Sequence, residues 1–364
     1  MKAVLVENGR LALGEAPEPE AGVGQVKIAV AASAVNRADL VQAAGGYPPP
    51  PGASPILGLE CAGEVVAVGE GVQRVKLGDQ VCALLAGGGY AETVAVPAGQ
   101  VLRVPEGLSL HDAAAVPEVF ATAYLNLYQE AGLVTNERVL LHAGGSGVGT
   151  AAIQLCRESR NPAFITVGGD DKLQRCLELG ASGGADRHQG GFADRVAEWT
   201  DGKGFDVILD PVGANYLADN LASLRTDGRL VLIGLMGGIK AELPLAMVLM
   251  KRLRLIGSTL RARSIAAKSA VMDGLEIHLW PKLESGAIKP IIETVVPMAD
   301  AQQAHDLVAS NHTFVKVVLE WGLAGGLTRS TGLPRGCNCQ SSRGCLPSPG
   351  TSSRGRRGPR PSGP

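Results

Sequence analysis

The sequence predicts an α/β fold in which a doubly wound parallel sheet is inserted into a β-rich unit, with a disordered C-terminal tail. Three observations carry this. Between about residues 137 and 256, strand-like apolar runs alternate with segments of helical period, as in parallel crossover units. Residues 1–118 instead hold short Val-rich runs bounded by glycine and proline. From Gly322 onward, Gly, Pro and Ser fill 23 of 43 positions with no aromatic residue, which cannot bury enough surface to offset ordering entropy.

In the first part, Val26-Lys27-Ile28-Ala29-Val30 alternates as a half-buried strand does, and Gly63–Gly69 frames a Val-rich strand. Lys76–Val81 adds a turn feeding another strand, while Tyr47-Pro48-Pro49-Pro50-Pro51-Gly52 must be an irregular loop. After about Pro117 the texture changes. Glu137–His142 reads as a strand, Ala143–Gly149 as a glycine-rich turn, Thr150–Arg157 as a helix and Ala163–Val167 as a strand. A helix at Lys172–Leu179, a strand at Phe205–Asp210, a helix at Asn215–Leu224 and strands at Arg229–Ile233 and Arg254–Ile256 follow. From about Leu260 a long helical stretch and a last strand, Val315–Leu319, are expected to return to the first unit.

The chain's 364 residues suit two domains of ~150 each. Residues 322–364 hold seven arginines and no acid, so the formal charge of −1 leaves −8 on residues 1–321. A body of that charge has no global attraction for nucleic acid or an anionic membrane, although a basic tail touching RNA is the functional alternative to a disordered extension. No apolar run reaches the ~18 residues of a membrane span, and Met1–Arg10 lacks the apolar core of a leader, so a cytoplasmic protein is expected. Cys61, Cys82, Cys156 and Cys176 are scattered singly; Cys337, Cys339 and Cys345 lack a fourth ligand in the tail.

Ala143-Gly144-Gly145-Ser146-Gly147-Val148-Gly149 follows a strand and precedes a helix. Such a turn lets backbone approach a pyrophosphate, and the helix start offers unpaired N–H groups. Ser146 interrupts the strict glycine pattern, so the setting is what argues for a dinucleotide over a purely structural turn. A site for NAD puts a carboxylate at the end of the second strand; here that strand ends Thr166-Val167-Gly168-Gly169, with Lys172 following and Arg187 within reach of the same pocket. Asp170 and Asp171 pull the other way, and Lys172 as a plain solvated helix residue is the competing reading. The balance predicts NADPH.

On these motifs the chain resembles the medium-chain dehydrogenase/reductase superfamily over about residues 1–321. Zinc-dependent members hold their metal through an early Cys, a Gly-His-Glu segment and a later Cys. Here Asn36 stands for the Cys and Leu59 for the His, beside Glu60, and the later Cys is missing, so no metal is expected. Ala31–Leu40, Tyr47 with its prolines, Ile56–Glu60, His142-Ala143-Gly144, Ser146–Gln154 and Gly234–Gly238 resemble the zinc-free quinone oxidoreductase family.

That resemblance implies a Rossmann domain, residues 119–260, inserted into a GroES-like catalytic domain of residues 1–118 and 261–321, ahead of the tail 322–364. It implies a homodimer that transfers hydride from NADPH to small ortho-quinones in an apolar cleft. Tyr47 and Asn36 would border the nicotinamide; Ser146, Gly147, Val148 and Gly149 would carry the pyrophosphate; Gly169, Lys172 and Arg187 would face the 2′-phosphate. Gly234, Leu235, Met236 and Gly237 would line the nicotinamide side, Leu260 and Arg261 the substrate mouth, and Lys316 the cofactor near the last strand. The family often has serine at Gly169, tyrosine at Arg187 and glycine at Val315, so these departures bear on cofactor affinity.

The chemistry asks little of the protein, because a quinone accepts hydride readily and the cofactor supplies it. Tyr47 is expected to donate to the developing oxyanion, or else to pack on its prolines; Asn36 orients a carbonyl, or else caps a turn. His111 is expected to cap the helix from Ser109, and His142 to satisfy a local hydrogen bond. Two other functions fit: an enoyl-thioester reductase using Tyr47 as proton donor, and a catalytically weak structural or RNA-binding relative.

Overall fold

A computed structural model describes residues 1–311 and 313–322; the tail from 323, with Cys337, Cys339 and Cys345, lies outside them. The chain opens with an antiparallel hairpin, β1 (Lys2–Glu7) and β2 (Arg10–Glu15), turned by Asn8-Gly9 with both residues at positive φ. In β3 (Gln25–Ala34) Val26, Ile28 and Val30 alternate inward, as their period-2 spacing requires. After α1 (Arg37–Ala43), strands β4 (Glu60–Val68), β5 (Gln80–Leu84), β6 (Thr93–Pro97) and β7 (Val101–Arg103) build antiparallel pairs around β3. Two short helices, α2 (Leu110–Ala114) and α3 (Pro117–Tyr124), lead to the second sheet. Ser109 and Asp112 cap α2 reciprocally, at 3.1 Å from Asp112 N to Ser109 Oγ. His111 takes no part in that cap; its Nε2 lies 2.9 Å from Glu320.

The second sheet is wholly parallel. Its strands and crossover helices follow in chain order: β8 (Val139–Leu141), α4 (Gly147–Glu158), β9 (Ala163–Val167), α5 (Asp170–Leu179), β10 (Gly183–Asp186), α6 (Val196–Thr200) and β11 (Phe205–Asp210). Then come α7 (Leu217–Ser223), β12 (Leu224–Leu232), α8 (Leu245–Met250) and β13 (Arg254–Gly257). The spatial order β10-β9-β8-β11-β12-β13 reverses direction between β8 and β11. Ligands of such sheets bind outside the C-terminal strand ends at that switch, here next to His142 and Asp210. Val139, Leu140 and Leu141 are fully buried, because helices cover both faces.

The chain then returns to the first sheet. After α9 (Ile265–His278) and α10 (Trp280–Glu284) come β14 (Ile292–Pro297), α11 (Ala301–Ala309) and β15 (Lys316–Glu320). β15 pairs antiparallel with β3 and parallel with β14, completing a seven-stranded sheet. The expected return therefore occurs. The long helical stretch does not: the β-branched run Ile291-Ile292-Glu293-Thr294-Val295-Val296 forms an edge strand. Among the described residues no helix is long and apolar enough to cross a membrane.

One backbone position departs from its residue type. Val315, directly before β15, sits at φ +81°, where a β-branched side chain clashes with its own backbone. Its N–H donates to Gly145 O at 3.2 Å, which ties the last strand to the glycine turn and holds the conformation. Such strain costs on the order of 1–3 kcal/mol, against about 0.5–1 kcal/mol for glycine's extra unfolded-state entropy. Val315 is also buried in the core, so two truncations isolate the strain: Val315→Gly is expected to be more stable than Val315→Ala by about 1 kcal/mol, read as a higher urea midpoint at unchanged slope; equal midpoints would show that no strain is stored there.

Candidate active site

Three adjacent strands, β15, β3 and β4, bring residues from both ends of the chain to one point. Glu60 starts β4, Asn36 follows β3, and Lys316 starts β15. Lys316 Nζ donates to Glu60 Oε1 at 2.6 Å, Asn36 Oδ1 at 2.7 Å and Val35 O at 3.1 Å. Asn36 Nδ2 donates to Glu60 Oε1 at 2.9 Å, and the backbone N–H of Glu118 to Glu60 Oε2 at 2.9 Å. Glu60 and Lys316 are 0% and 3% exposed. A buried pair offsets its desolvation only when the remaining lone pairs and protons are satisfied, as they are here. Asn36's amide is engaged in this cluster, its Nδ2 also donating to Ala34 O at 3.2 Å, and as the first residue ahead of α1 its N–H donates to Asp39 Oδ2 at 2.8 Å.

These residues do not form a zinc donor set. Leu59 is buried and offers no lone pair, Asn36 donates its amide protons, and both Glu60 oxygens already accept hydrogen bonds. Among the described residues no group of three or more His, Cys, Asp or Glu is placed to hold a metal.

Next to this cluster stand Glu118, Tyr47, Arg261 and Lys268. Glu118 opens α3, and its carboxyl group accepts no hydrogen bond among the described residues. Burial first, and the negative charge of Glu60 second, push its pKa up to about 8. The Arg261 guanidinium, 3% exposed, donates to Ala86 O at 2.8 Å, Tyr47 O at 3.2 Å and Gln42 Oε1 at 2.7 Å, and lies 5.1 Å from the Tyr47 ring centroid. Arg261 thus fixes the proline loop by its backbone, and the Tyr47 hydroxyl has no hydrogen bond among the described residues. Burial raises the Tyr47 pKa further above its ordinary value. Leu260 beside it is buried.

The glycine turn has the geometry of an anion cradle. Ser146 caps α4 by accepting from Gly149 N at 3.1 Å, and among the described residues the amides of Gly147 and Val148 have no partner. A Cβ on Gly149 would lie 2.4 Å from Ala143 O, and one on Gly147 would meet Val119 at 2.8 Å and Lys316 at 3.0 Å. The turn is therefore pressed against the charge cluster. His142 makes the expected local bonds, to Thr166 Oγ1 at 3.0 Å and Asn220 Oδ1 at 2.7 Å, and burial lowers its pKa to about 4.

At the end of β9 the chain turns through Gly168 and Gly169, the latter at φ +145°, a region open essentially to glycine alone. The Arg187 guanidinium lies 3.1 Å from where a Gly168 Cβ would stand. Lys172 Nζ donates to Asn311 O at 2.6 Å and Thr313 O at 2.8 Å, so one of its three donors is left over. Asp170 is held by Gln189 Nε2 at 2.9 and 3.0 Å. Across the sheet, Gly234 admits the Pro211 carbonyl, while Met236 N and Gly237 N donate to Pro211 O and Val212 O; Leu235 and Met236 are exposed.

Sequence reasoning missed Glu118, Lys268 and the buried chain Asp39–Tyr90–His305, in which Tyr90 Oη lies 3.3 Å from Asp39 Oδ2 and 3.2 Å from His305 Nε2. A sign of Glu118 was present: a lone acid after the apolar run Ala113–Val116. Lys316→Met strands the Glu60 charge and is expected to cost about 3–5 kcal/mol in chemical denaturation, with Glu60→Gln added to it recovering part; a loss under ~1 kcal/mol would mean the pair is solvated.

Residues 22–106 match the alcohol dehydrogenase GroES-like domain and residues 147–273 the zinc-binding dehydrogenase family. The synaptic vesicle membrane protein VAT-1 homolog of Rattus norvegicus is 31% identical over 315 residues, covering 83% of this chain and 78% of that protein. The quinone oxidoreductase-like protein 2 homolog of Nematostella vectensis is 28% identical over 300 residues, 82% of each. The crystal structure of Escherichia coli quinone oxidoreductase complexed with NADPH superposes with a TM-score of 0.78 at 26% identity, over 88% of this chain and 98% of that one. With a parallel sheet set in a GroES-like unit and these relatives along its length, the chain belongs to the quinone oxidoreductase family of the medium-chain dehydrogenase/reductase superfamily, beside the VAT-1 homologues.

Proposed function

We propose that the protein reduces small ortho-quinones with NADPH and without zinc. The observation that carries this reading is the end of β9, where Lys172 and the Arg187 guanidinium flank Gly168-Gly169 and are opposed by Asp171, whose Oδ1 lies 2.8 Å from where a Gly169 Cβ would stand. Gly147 and Val148 amides would hold the pyrophosphate, and Lys172 and Arg187 the 2′-phosphate. Bound NADPH supplies the hydride. Tyr47, whose hydroxyl has no other partner and stays protonated, would donate to the acceptor oxygen, and Arg261 fixes the loop that carries it.

The relative of known structure that binds NADPH supports the cofactor. The test is the initial rate of NADPH oxidation with an ortho-quinone, with NADH in parallel. Fast NADPH and slow NADH turnover is expected; no turnover with either would remove the quinone reading. Lys172→Ala and Arg187→Ala are each expected to weaken NADPH roughly 10- to 100-fold, the worth of a charge-assisted hydrogen bond, and NADH hardly at all.

Tyr47 also admits the enoyl-thioester reading. Turnover of a trans-2-enoyl thioester that disappears in Tyr47→Phe would support that reaction, and quinone turnover surviving the same change would oppose it.

We also propose that the enzyme is a homodimer paired through β13. This strand is a sheet edge with an unpaired row of backbone groups. Beside it Leu245, Leu249 and Met250 of α8 are 70%, 75% and 76% exposed. A second copy of the same edge would satisfy both. Light scattering should give twice the chain mass, and Leu249→Glu with Met250→Glu should halve it; a monomeric wild type would refute the pairing.

A further inference from the structure

We propose that Glu118, in one charge cluster with Tyr47 and Arg261, is a catalytic proton donor that protonates the hydride-reduced acceptor. This rests on the quinone-reduction reading. The starting point is an imbalance in the charge cluster. Two carboxyl groups, Glu60 and Glu118, meet at the start of α3, and the available hydrogen bonds go to one of them. Glu60 takes Lys316, Asn36 and the Glu118 backbone N–H. The Glu118 carboxyl accepts none among the described residues, and the residue is only partly buried, so part of it is open to solvent.

Charged and titratable groups face it from every neighbouring element: Glu60 of β4, Asp39 of α1, Lys316 of β15, Arg261 after β13, Lys268 of α9 and Tyr47 of the proline loop. Three of these are cations, and none of them donates to the Glu118 carboxyl among the described residues. Lys316 is bonded to Glu60, Asn36 and Val35, and Arg261 to Ala86, Tyr47 and Gln42. Lys268 Nζ donates to Arg261 O at 3.3 Å and, among the described residues, has no carboxylate within 4 Å. Burial and Glu60 therefore prevail, and the acid, with its pKa at about 8, keeps its proton at neutral pH. Tyr47 is the weaker acid, above the ordinary phenol value of about 10. The two groups divide the work: Tyr47 orients the acceptor oxygen and Glu118 gives the proton.

The step balances. Hydride from NADPH carries two electrons and one proton to the quinone and leaves NADP⁺ and the hydroquinone monoanion. The O–H bond of Glu118 breaks, its proton forms the new O–H bond on that anion, and the carboxylate regains a proton from solvent at the exposed part of the residue.

The test compares wild type with Glu118→Gln in the full chain, by kcat for NADPH-dependent ortho-quinone reduction across pH and by thermal unfolding over the same range. Wild-type kcat should fall above about pH 8, and the variant should be slower by on the order of 10²-fold with a flat profile. The folded acid holds its proton longer than the unfolded one, whose pKa is about 4.3. Wild-type Tm should therefore drop relative to the variant as pH rises towards about 8, and the gap should stay constant above that. Lys268→Met, which removes a facing cation, should move both midpoints to higher pH, and carries the test if Glu118→Gln folds poorly. A variant that keeps the wild-type rate and its alkaline decline overturns the donor role alone. A wild type without quinone turnover, with the Tm gap intact, overturns the quinone reading and the donor role with it.

Discussion

The buried pair of Glu60 and Lys316 holds the two ends of the sequence together. Its partners lie 256 residues apart, and the strands that carry them flank β3. Isolated in the interior, either charge would cost several kcal/mol, so the neighbours are arranged around them: Asn36 bridges the pair, Val35 takes the third lysine proton, and the first turn of α3 turns an amide towards the carboxylate. One consequence reaches the second sheet. Because α3 leads directly to it, the Glu118 N–H that satisfies Glu60 also fixes where the parallel sheet begins relative to the first.

The same cluster presses on the glycine turn. Lys316 and Val119 occupy the space a side chain on Gly147 would need, so this glycine is required by the packing below it as well as by any anion above it. On the far side, the segment before β15 is drawn onto the turn by the Val315–Gly145 hydrogen bond and by Lys172, whose ammonium holds the carbonyls of Asn311 and Thr313. The Arg175 guanidinium stacks 3.9 Å over the Phe314 ring. The last strand is thus coupled to the cradle at several points, and the positive φ of Val315 is tolerated because its surroundings fix it from both sides.

Much of this was legible in the sequence because it is local. The alternation in Val26–Val30, the strand–glycine–helix run through Ala143–Gly149 and the strand at Phe205–Asp210 each follow from a period or a turn that a short window contains. Val315 stood out as a departure from a family glycine, and its φ of +81° gives the physical reason a glycine suits that position. What the sequence hid is non-local. Nothing near Asn36 announces that its amide is held by Lys316, and nothing near Glu118 announces Glu60. β14 escaped because the strand lies at a sheet edge, where Val295 faces outward and the apolar residues of the sequence do not alternate.

The replacement of a metal-binding constellation by this cluster has a simple electrostatic logic. A zinc ion would polarise a bound carbonyl through a fixed double positive charge. Here the position of the family's histidine is a buried leucine, and the neighbouring carboxylate is neutralised by an internal lysine. Both oxygens of Glu60 are then taken up by hydrogen bonds, and neither it nor Leu59 offers a free lone pair to a cation. An acceptor with a low barrier to hydride needs only orientation, exclusion of water and hydrogen-bond donors at its oxygen. The hydroxyl of Tyr47, on a loop that Arg261 holds by its backbone, and the carboxyl of Glu118 have no partner among the described residues, and both would be donors of that kind.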